Sequence, residues 1–215
     1  MKAPVVGIVL LTLFTFNNAN LIYHNHDHES YSNSDESKVV SRYFAEQYLL
    51  LRQREDITFT SDIRKFQNDS LVVHNTLRAR HCVPPLELDE EININSQIYA
   101  NYLAKTDSPL IHSTNRASRF GENLYSLARK SPIANISAEK CIMAWYAEIE
   151  FYDYSKPAYK LSTGHFTQIV WKDTQKLGVG YAFGREGCKI YIVAQYGPPG
   201  NYRHRFGKNV LEPKC

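Results

Sequence analysis

Residues 164–202 read GHFTQIVWKDTQKLGVGYAFGREGCKIYIVAQYGPPGNY, and the fold class follows mainly from this part of the chain. Two segments in it, Leu177–Phe183 and Lys189–Tyr196, are rich in Val, Ile, Tyr and Phe, which are enriched in strands. Between them lies Gly184–Gly187, a short connection with glycine at each end. Two strand-like runs joined by such a connection predict an antiparallel β-hairpin.

Helices are predicted upstream of this hairpin. Asn68 or Asp69 can cap a helix that runs through Arg80. Asp89 and Ser137 can cap two further helices, the second of which extends to about residue 150. Because the helices come early and the antiparallel strands come late, we expect an α+β fold rather than a doubly wound parallel sheet.

The composition of the 215-residue chain fits one folded domain with additional segments. Hydrophobic residues make up 43% of the chain and aromatic residues 13%, which excludes a disordered or fibrous protein. The chain has 25 Lys and Arg against 22 Asp and Glu, a formal net charge of +3. Since the charge is nearly balanced and no long basic run occurs, we expect no nucleic-acid partner.

The N-terminus predicts the cellular compartment. Residues 1–19 read MKAPVVGIVLLTLFTFNNA, a basic start, an apolar run and a small residue, which together predict a signal peptide. The apolar run is shorter than the ~20 residues of a membrane-spanning helix, and an uncleaved anchor is the alternative. Residues 20–66 form a polar, partly disordered extension, in which Val39–Glu55 has the spacing of an amphipathic helix. We therefore expect a secreted, extracellular protein.

Secretion bears on the cysteines and on the glycosylation sequons. Four cysteines in an oxidising compartment predict at least one disulfide, and the three pairings they allow stay open. Asn68 and Asn135 each begin an acceptor sequon and are predicted to be glycosylated on surface loops. The cysteines are Cys82, Cys141, Cys188 and Cys215.

Four ionisable residues have settings that suit a functional site: His112, Glu122, Glu148 and His165. Two imidazoles and two carboxylates can form a divalent-metal site or a general acid–base pair. Their spacing alone does not join them, and four unrelated structural residues are the alternative. No Gly-x-Ser-x-Gly motif is present, and none of the cysteines has the local sequence of a cysteine protease.

Four segments in this order resemble the motifs of the CAP superfamily, which comprises cysteine-rich secretory proteins, antigen 5 and pathogenesis-related 1 proteins. The resemblance covers residues 67–215, which are therefore expected to form a CAP domain. The motifs are those at Gly164–Trp171 and Tyr191–Tyr202 and the shorter ones at His74–Arg78 and Gly121–Tyr125.

Within the superfamily, the chain is most similar to the Golgi-associated pathogenesis-related subgroup. His81–Leu86, Trp145–Ile149 and Asn209–Lys214 carry that similarity. Members of the subgroup usually lack a signal peptide, whereas this chain begins with one. Secreted members place a cysteine where Ala194 stands here, so the usual disulfide pattern does not transfer.

The resemblance implies a three-layer α-β-α sandwich with a small antiparallel sheet. It also implies that His112, Glu122, Glu148 and His165 line one cleft. The two histidines would bind a divalent metal, zinc, weakly, and the two glutamates would orient them. His74 is expected to be a buried structural residue, and Trp171 and Tyr196 are expected to pack in the core.

The resemblance does not settle an activity, and our leading hypothesis is binding rather than catalysis. We expect a secreted protein with a metal-capable cleft that binds a lipid, a sterol, an anionic membrane surface or an extracellular protein receptor. One alternative is a hydrolase in which Glu122, Glu148, His112 and His165 are catalytic. Another is a receptor- or channel-directed ligand of the toxin or allergen type. If the cleft histidines do not bind metal, His24, His26 and His28 are the other closely spaced candidates.

Overall fold

The computed structural model describes residues 57–113 and 119–214. The predicted signal peptide, the helix at Val39–Glu55, the three N-terminal histidines and Cys215 lie outside these residues. None of the helices within the described ranges is both long and apolar enough to cross a membrane. The helices are α1 (Ser61–Arg80), α2 (Glu90–Thr106), α3 (Ala138–Tyr146), α4 (Gly164–Ile169) and α5 (Phe206–Asn209). The strands are β1 (Glu87–Leu88), β2 (Gly121–Ala128), β3 (Lys176–Gly184) and β4 (Lys189–Gly197).

The four strands form one sheet in the order β1-β3-β4-β2. β3 and β4 form the predicted antiparallel hairpin, with Val179 opposite Ala194. Their connection is a 3-10 turn, Arg185–Gly187, in which all three residues have positive φ. β2 adds antiparallel to β4, and β1 pairs in parallel with β3. The hairpin is therefore the centre of the sheet, and the first residues of β2 lie at its edge.

Both faces of the sheet are covered by helices. Alternate residues of β4 point to opposite sides: Ile190, Ile192 and Ala194 pack with α1, α3 and α4, whereas Tyr191 and Val193 pack with α2. Two cores on opposite faces of one sheet make a three-layer α-β-α sandwich, which confirms the predicted fold class.

Helix α2 lies unusually close to β3, and two glycines allow this. A Cβ atom on Gly178 would lie 2.2 Å from the carbonyl carbon of Ile92, and one on Gly180 would lie 2.4 Å from Cα of Gln97. These contacts are to backbone atoms, which a side-chain rotation cannot relieve. Glycine is therefore required at both positions by the close packing of helix on strand.

The predicted start of the first helix is wrong. Helix α1 begins at Ser61, and its N-cap is Thr60, whose hydroxyl accepts the amide of Ile63. Phe66 is 6% exposed and packs in the core, so the buried face of the helix extends upstream of Asn68. The helix consequently crosses residue 67, where the sequence placed the start of the domain.

This longer helix also changes the setting of one sequon. Asn68 is exposed, but it lies on α1 rather than on a surface loop, so the predicted loop is wrong there. Asn135 is exposed in the loop that precedes α3, as predicted. Glycosylation at both asparagines stays a prediction.

The other two predicted helix caps are confirmed. The carboxylate of Asp89 accepts the amide of Ile92, and the hydroxyl of Ser137 accepts the amide of Lys140. The α-helix that follows Ser137 is shorter than expected, because it ends at Tyr146 and continues as a 3-10 helix, Ala147–Phe151. The tighter helix carries Glu148, which the sequence placed on α3.

A buried guanidinium joins α1 to the segment around α4. Arg78 is fully buried and donates to the carbonyl oxygens of Pro84, Ile169, Trp171 and Thr174 at 2.8–3.0 Å. Burial lowers the pKa of Arg78 to about 10. Four charge-assisted hydrogen bonds compensate for the loss of water around the cation, and they fix the position of the chain just after α4.

Candidate functional site

Glu122, the second residue of β2, is the centre of the first histidine–glutamate pair. Its carboxylate is buried and accepts hydrogen bonds from Nδ1 of His112 at 2.9 Å and from Nε2 of Gln195 at 2.9 Å. The amide and hydroxyl of Ser113 complete the set at 2.9 and 2.7 Å. Burial acts to raise the pKa of Glu122, but the hydrogen bonds from His112, Gln195 and Ser113 outweigh it, so the pKa is lowered. The group is therefore an ionised acceptor.

The loop that carries His112 is held in place from α2. The hydroxyl of Tyr99 donates to the carbonyl of Ile111, the residue before His112. Burial, with the nearby negative charge of Glu122 as a second cause, raises the pKa of Tyr99 to about 12. The tyrosine thus stays a neutral donor. The imidazole of His112 remains 34% exposed beyond this support.

The second pair joins the 3-10 helix after α3 to the first turn of α4. Nδ1 of His165 donates to Oε1 of Glu148 at 2.6 Å. The backbone amides of His165 and Phe166 donate to Oε2 of the same carboxylate at 2.9 and 3.2 Å. Glu148 therefore fixes both the ring and the backbone of His165, and that imidazole is 34% exposed.

Trp145 supports the second pair from α3. Its indole stacks on the His165 ring, with centroids 6.1 Å apart and planes inclined by 20°. The indole N–H donates to the carbonyl of Leu124 in β2 at 3.1 Å. Trp145 thus connects α3, β2 and the ring of His165.

The two pairs are neighbours at the start of β2. The side-chain amide of Asn123, the residue after Glu122, donates to the carbonyl of His165 at 3.1 Å. In each pair the carboxylate accepts a hydrogen bond from Nδ1 of its histidine. Nε2 of His112 and Nε2 of His165 make no hydrogen bond to the described part of the protein. The structure thus brings the four predicted residues to one region as two pairs, each with a free ring nitrogen.

This arrangement fits a weak metal site better than a closed one. A carboxylate on Nδ1 is the usual support for a histidine that binds metal through Nε2. Within residues 57–113 and 119–214, however, no group of three or more His, Cys, Asp or Glu residues is placed to hold a metal ion. Two imidazole nitrogens would therefore be the protein ligands, and open coordination positions would remain.

No nucleophile accompanies the histidines in the described residues. The hydroxyl of Ser113 donates to the carboxylate of Glu122 and not to a histidine ring, so neither imidazole is placed to take its proton. Burial raises the pKa of the Cys141 thiol well above its usual value, which makes it unreactive. Cys188 lies just before β4, at the opposite end of that strand from Gln195, and it too is a free thiol.

His74 is a structural residue, as expected. It is fully buried on α1, where its Nδ1 contacts the carbonyl of Ser70 at 2.8 Å and its Nε2 contacts the hydroxyl of Tyr196 at 2.9 Å. Burial lowers its pKa to about 4. Trp171 and Tyr196 are likewise buried in the core, as predicted.

Sequence reasoning missed four residues that build the site. Gln195 lies directly opposite Glu122 in the β2–β4 register, and correct pairing of these strands would have revealed it. The others carry no local signal, because they act through contacts between distant parts of the chain. They are Tyr99, Ser113 and Asn123.

Comparison with known proteins identifies similar chains. The model of the cysteine-rich secretory protein family, CAP, matches residues 71–196. The Golgi-associated plant pathogenesis-related protein 1 of Homo sapiens is 39% identical over 154 residues, which cover 70% of this chain and 96% of that protein. Pathogenesis-related protein 1A of Nicotiana tabacum is 35% identical over 64% of this chain and 77% of its own length.

Solved structures show the same fold. The crystal structure of NaASP2 with Zn2+ aligns with a TM-score of 0.56 at 24% identity, over 74% of this chain and 90% of that one. At this level of identity the likeness establishes the architecture alone.

Proposed function

The chain belongs to the CAP family, and on that premise we propose that it is a secreted, non-enzymatic binding protein whose cleft holds a divalent metal weakly. The observation that carries the proposal is the pair of imidazoles at the start of β2. Each has Nδ1 on a carboxylate and Nε2 without a protein partner in the described structure. Two oriented, unused ring nitrogens on neighbouring segments are what a cation needs.

His112 and His165 would hold the metal through Nε2, and Glu122 and Glu148 would keep the rings oriented. Zinc suits two imidazoles, and when bound it would supply a Lewis acid at the cleft. The similar crystal structure of NaASP2 with Zn2+ supports the choice of metal. With two nitrogens from the protein and the rest from water or a ligand, affinity should be modest.

Binding is favoured over catalysis by what the cleft lacks. A hydrolase that forms a covalent intermediate needs an activated nucleophile, and the serine beside the first pair is bonded to Glu122. The observation that favours a hydrolase is the support of each histidine by a carboxylate, which would suit a general base. Turnover lost in Glu148→Gln would favour that second candidate, whereas absence of turnover in the wild type would favour binding.

The partner we propose is extracellular. The basic start and apolar run of residues 1–19 support export, and the human relative's name associates that protein with the Golgi. A lipid, a sterol or an anionic membrane surface is the partner class we favour, and a protein receptor, addressed in the manner of a toxin or allergen, is the alternative.

Zinc titration of the full-length protein by calorimetry tests the metal proposal. The variant His112→Ala/His165→Ala should lose measurable binding and keep its fold, because both rings are partly exposed. His204→Ala, which removes an exposed histidine on another loop, is the matched control and should bind as wild type does. Binding should weaken in acid, because only a neutral imidazole can be a metal ligand.

Equal zinc affinity in the double variant and the wild type would overturn the assignment. In that case a triple variant of His24, His26 and His28 would locate the metal in the N-terminal segment.

A further inference from the structure

A basic groove lies between the C-terminal loop and the segment that follows α4. It has a volume of about 560 Å³, and its walls carry four exposed basic side chains and one exposed histidine. We call it the basic groove; these residues are Lys172, Arg203, His204, Arg205 and Lys208.

The groove concentrates positive charge. Its four Lys and Arg residues face one acidic residue, Asp173, which gives a net +3 with histidine neutral, equal to the formal excess of the whole chain. Arg205 and Asp173 approach only to 4.0 Å, with side chains 63% and 56% exposed, so this ion pair is weak. Among the described residues, no carboxylate pairs with Lys172, Arg203 or Lys208.

The backbone under these charges is held in place by Asn209. This residue is 2% exposed and lines the groove. Its side-chain oxygen accepts the amide of Asp173 at 2.8 Å, and its backbone carbonyl accepts the amide of Lys172 at 3.0 Å. Its side-chain nitrogen donates to the carbonyl of Arg205 at 3.2 Å. One buried side chain therefore ties the two walls together, so the like charges cannot separate by loop movement.

Four cations held together with one acidic residue beside them repel one another, which costs stability unless an anion enters. We propose that the basic groove binds the phosphate groups of an anionic ligand. Arginine's planar fork matches phosphate oxygens in two parallel hydrogen bonds, and lysine adds point charge. The inference rests on the proposed function in one respect, since it assigns a site and a chemistry to the anionic partner, and it does not depend on the metal.

Two sources can present this chemistry, a lipid headgroup or a soluble phosphate. Full-length protein is therefore tested in two arms, against vesicles of phosphatidylcholine with phosphatidic acid and against inorganic tripolyphosphate in solution. Vesicles of phosphatidylcholine alone are the lipid control. Wild-type binding should weaken with added salt, because the groove is exposed to solvent.

The test variant is Arg203→Gln/Arg205→Gln, and Lys172→Gln/Lys208→Gln removes the other pair. The matched control is Arg129→Gln/Lys130→Gln, which removes the same charge from an exposed site after β2. Each groove variant should weaken binding at least about tenfold, since charge-assisted hydrogen bonds are lost, and the control less than about twofold. Both groove variants should melt no lower than wild type, and tripolyphosphate should raise the melting temperature of wild type most.

Loss of binding in either arm, confined to the groove variants, supports the site, and the arm in which it occurs identifies the source. If groove and control variants lost binding equally, net charge alone would explain the loss, and the proposed site would be overturned. Absence of binding in both arms would overturn it as well. Zinc titration of the same variants separates the two proposals: unchanged zinc affinity with no phosphate binding would refute the groove alone.

Discussion

Acidification from about pH 7.5 to about pH 5 should destabilise the protein through the buried imidazole of His74. The ring is fully buried, and both of its nitrogens have partners in the protein, the carbonyl of Ser70 and the hydroxyl of Tyr196. Burial is the main reason that its pKa falls to about 4, and the positive charge of Arg78 contributes in the same direction. The folded protein therefore keeps this histidine neutral.

The direction of this change in stability follows from comparing the protonation of His74 in the unfolded chain and in the folded protein. In the unfolded chain His74 takes up a proton near pH 6.5, whereas in the folded protein it does so only near pH 4. The unfolded state binds more protons between these values, so stability is complete above pH 6.5 and is lost as pH falls towards 4. The pKa difference corresponds to about 3 kcal/mol in full, and to about 2 kcal/mol at pH 5.

Urea denaturation of wild type and His74→Gln at the two pH values measures this effect. The wild type should lose about 2 kcal/mol more on acidification than the variant, whatever the variant's stability at neutral pH. His81→Gln is the matched control. Burial also lowers the pKa of His81, so His81→Gln should remove that residue's own part of the pH dependence and leave the part that is due to His74.

The lowered pKa of Glu122 acts in a different window and does not obscure the result. A carboxylate whose pKa is depressed loses its contribution only below its ordinary range near 4.5. If His74→Gln shows the same pH dependence as the wild type, the reasoning is wrong. Should the variant not fold, NMR titration of the wild-type imidazoles decides, and a His74 signal that titrates near pH 6.5 would refute it.

Two further predictions concern the contacts of α1 and the disulfide that follows it. Arg78→Ala removes the guanidinium from four carbonyls, of which that of Trp171 keeps the amide of Thr174 as a donor. It should lower the free energy of unfolding by about 3–5 kcal/mol in urea denaturation, and Arg78→Lys, which lacks the planar fork, should recover only part of this loss. A loss below about 1 kcal/mol would contradict this role. Non-reducing peptide mapping of secreted protein should find Cys82 bonded to Cys215. Cys141 and Cys188 are free thiols, and the amide of Lys214 donates to the carbonyl of Arg80, which brings the end of the chain close to Cys82. A bond that includes Cys141 would be inconsistent with the structure.

Elements defined by local signals were predictable from the sequence. The hairpin and the caps at Asp89 and Ser137 depend on residues within a few positions of each other, and the structure confirms all three. The start of α1 was not predictable in this way, because Asn68 and Asp69 are good capping residues in isolation and indicate a later start. What extends the helix upstream is the burial of Phe66 against the core, a tertiary contact that short-range patterns do not encode.

The grouping of the four candidate residues was predictable from the resemblance, but their pairing was not, and their role as a site stays a prediction. Resemblance placed four residues in one cleft, and the spacing of the chain did not say which histidine meets which glutamate. The answer depends on the β2–β4 register, which sets Gln195 opposite Glu122, and on the 3-10 segment that turns Glu148 towards α4. Both are properties of the assembled sheet and helices.

The pairing predicts that the fold would not depend on the proposed metal. In a structural zinc site the ligands are held together mainly by the ion, and removing it unfolds the protein. Here each carboxylate accepts at least three hydrogen bonds from the protein, and each imidazole is held at Nδ1 and is 34% exposed. The four side chains are thus held by contacts that do not involve Nε2. If zinc binds there as proposed, its removal should leave these side chains and the basic groove in place.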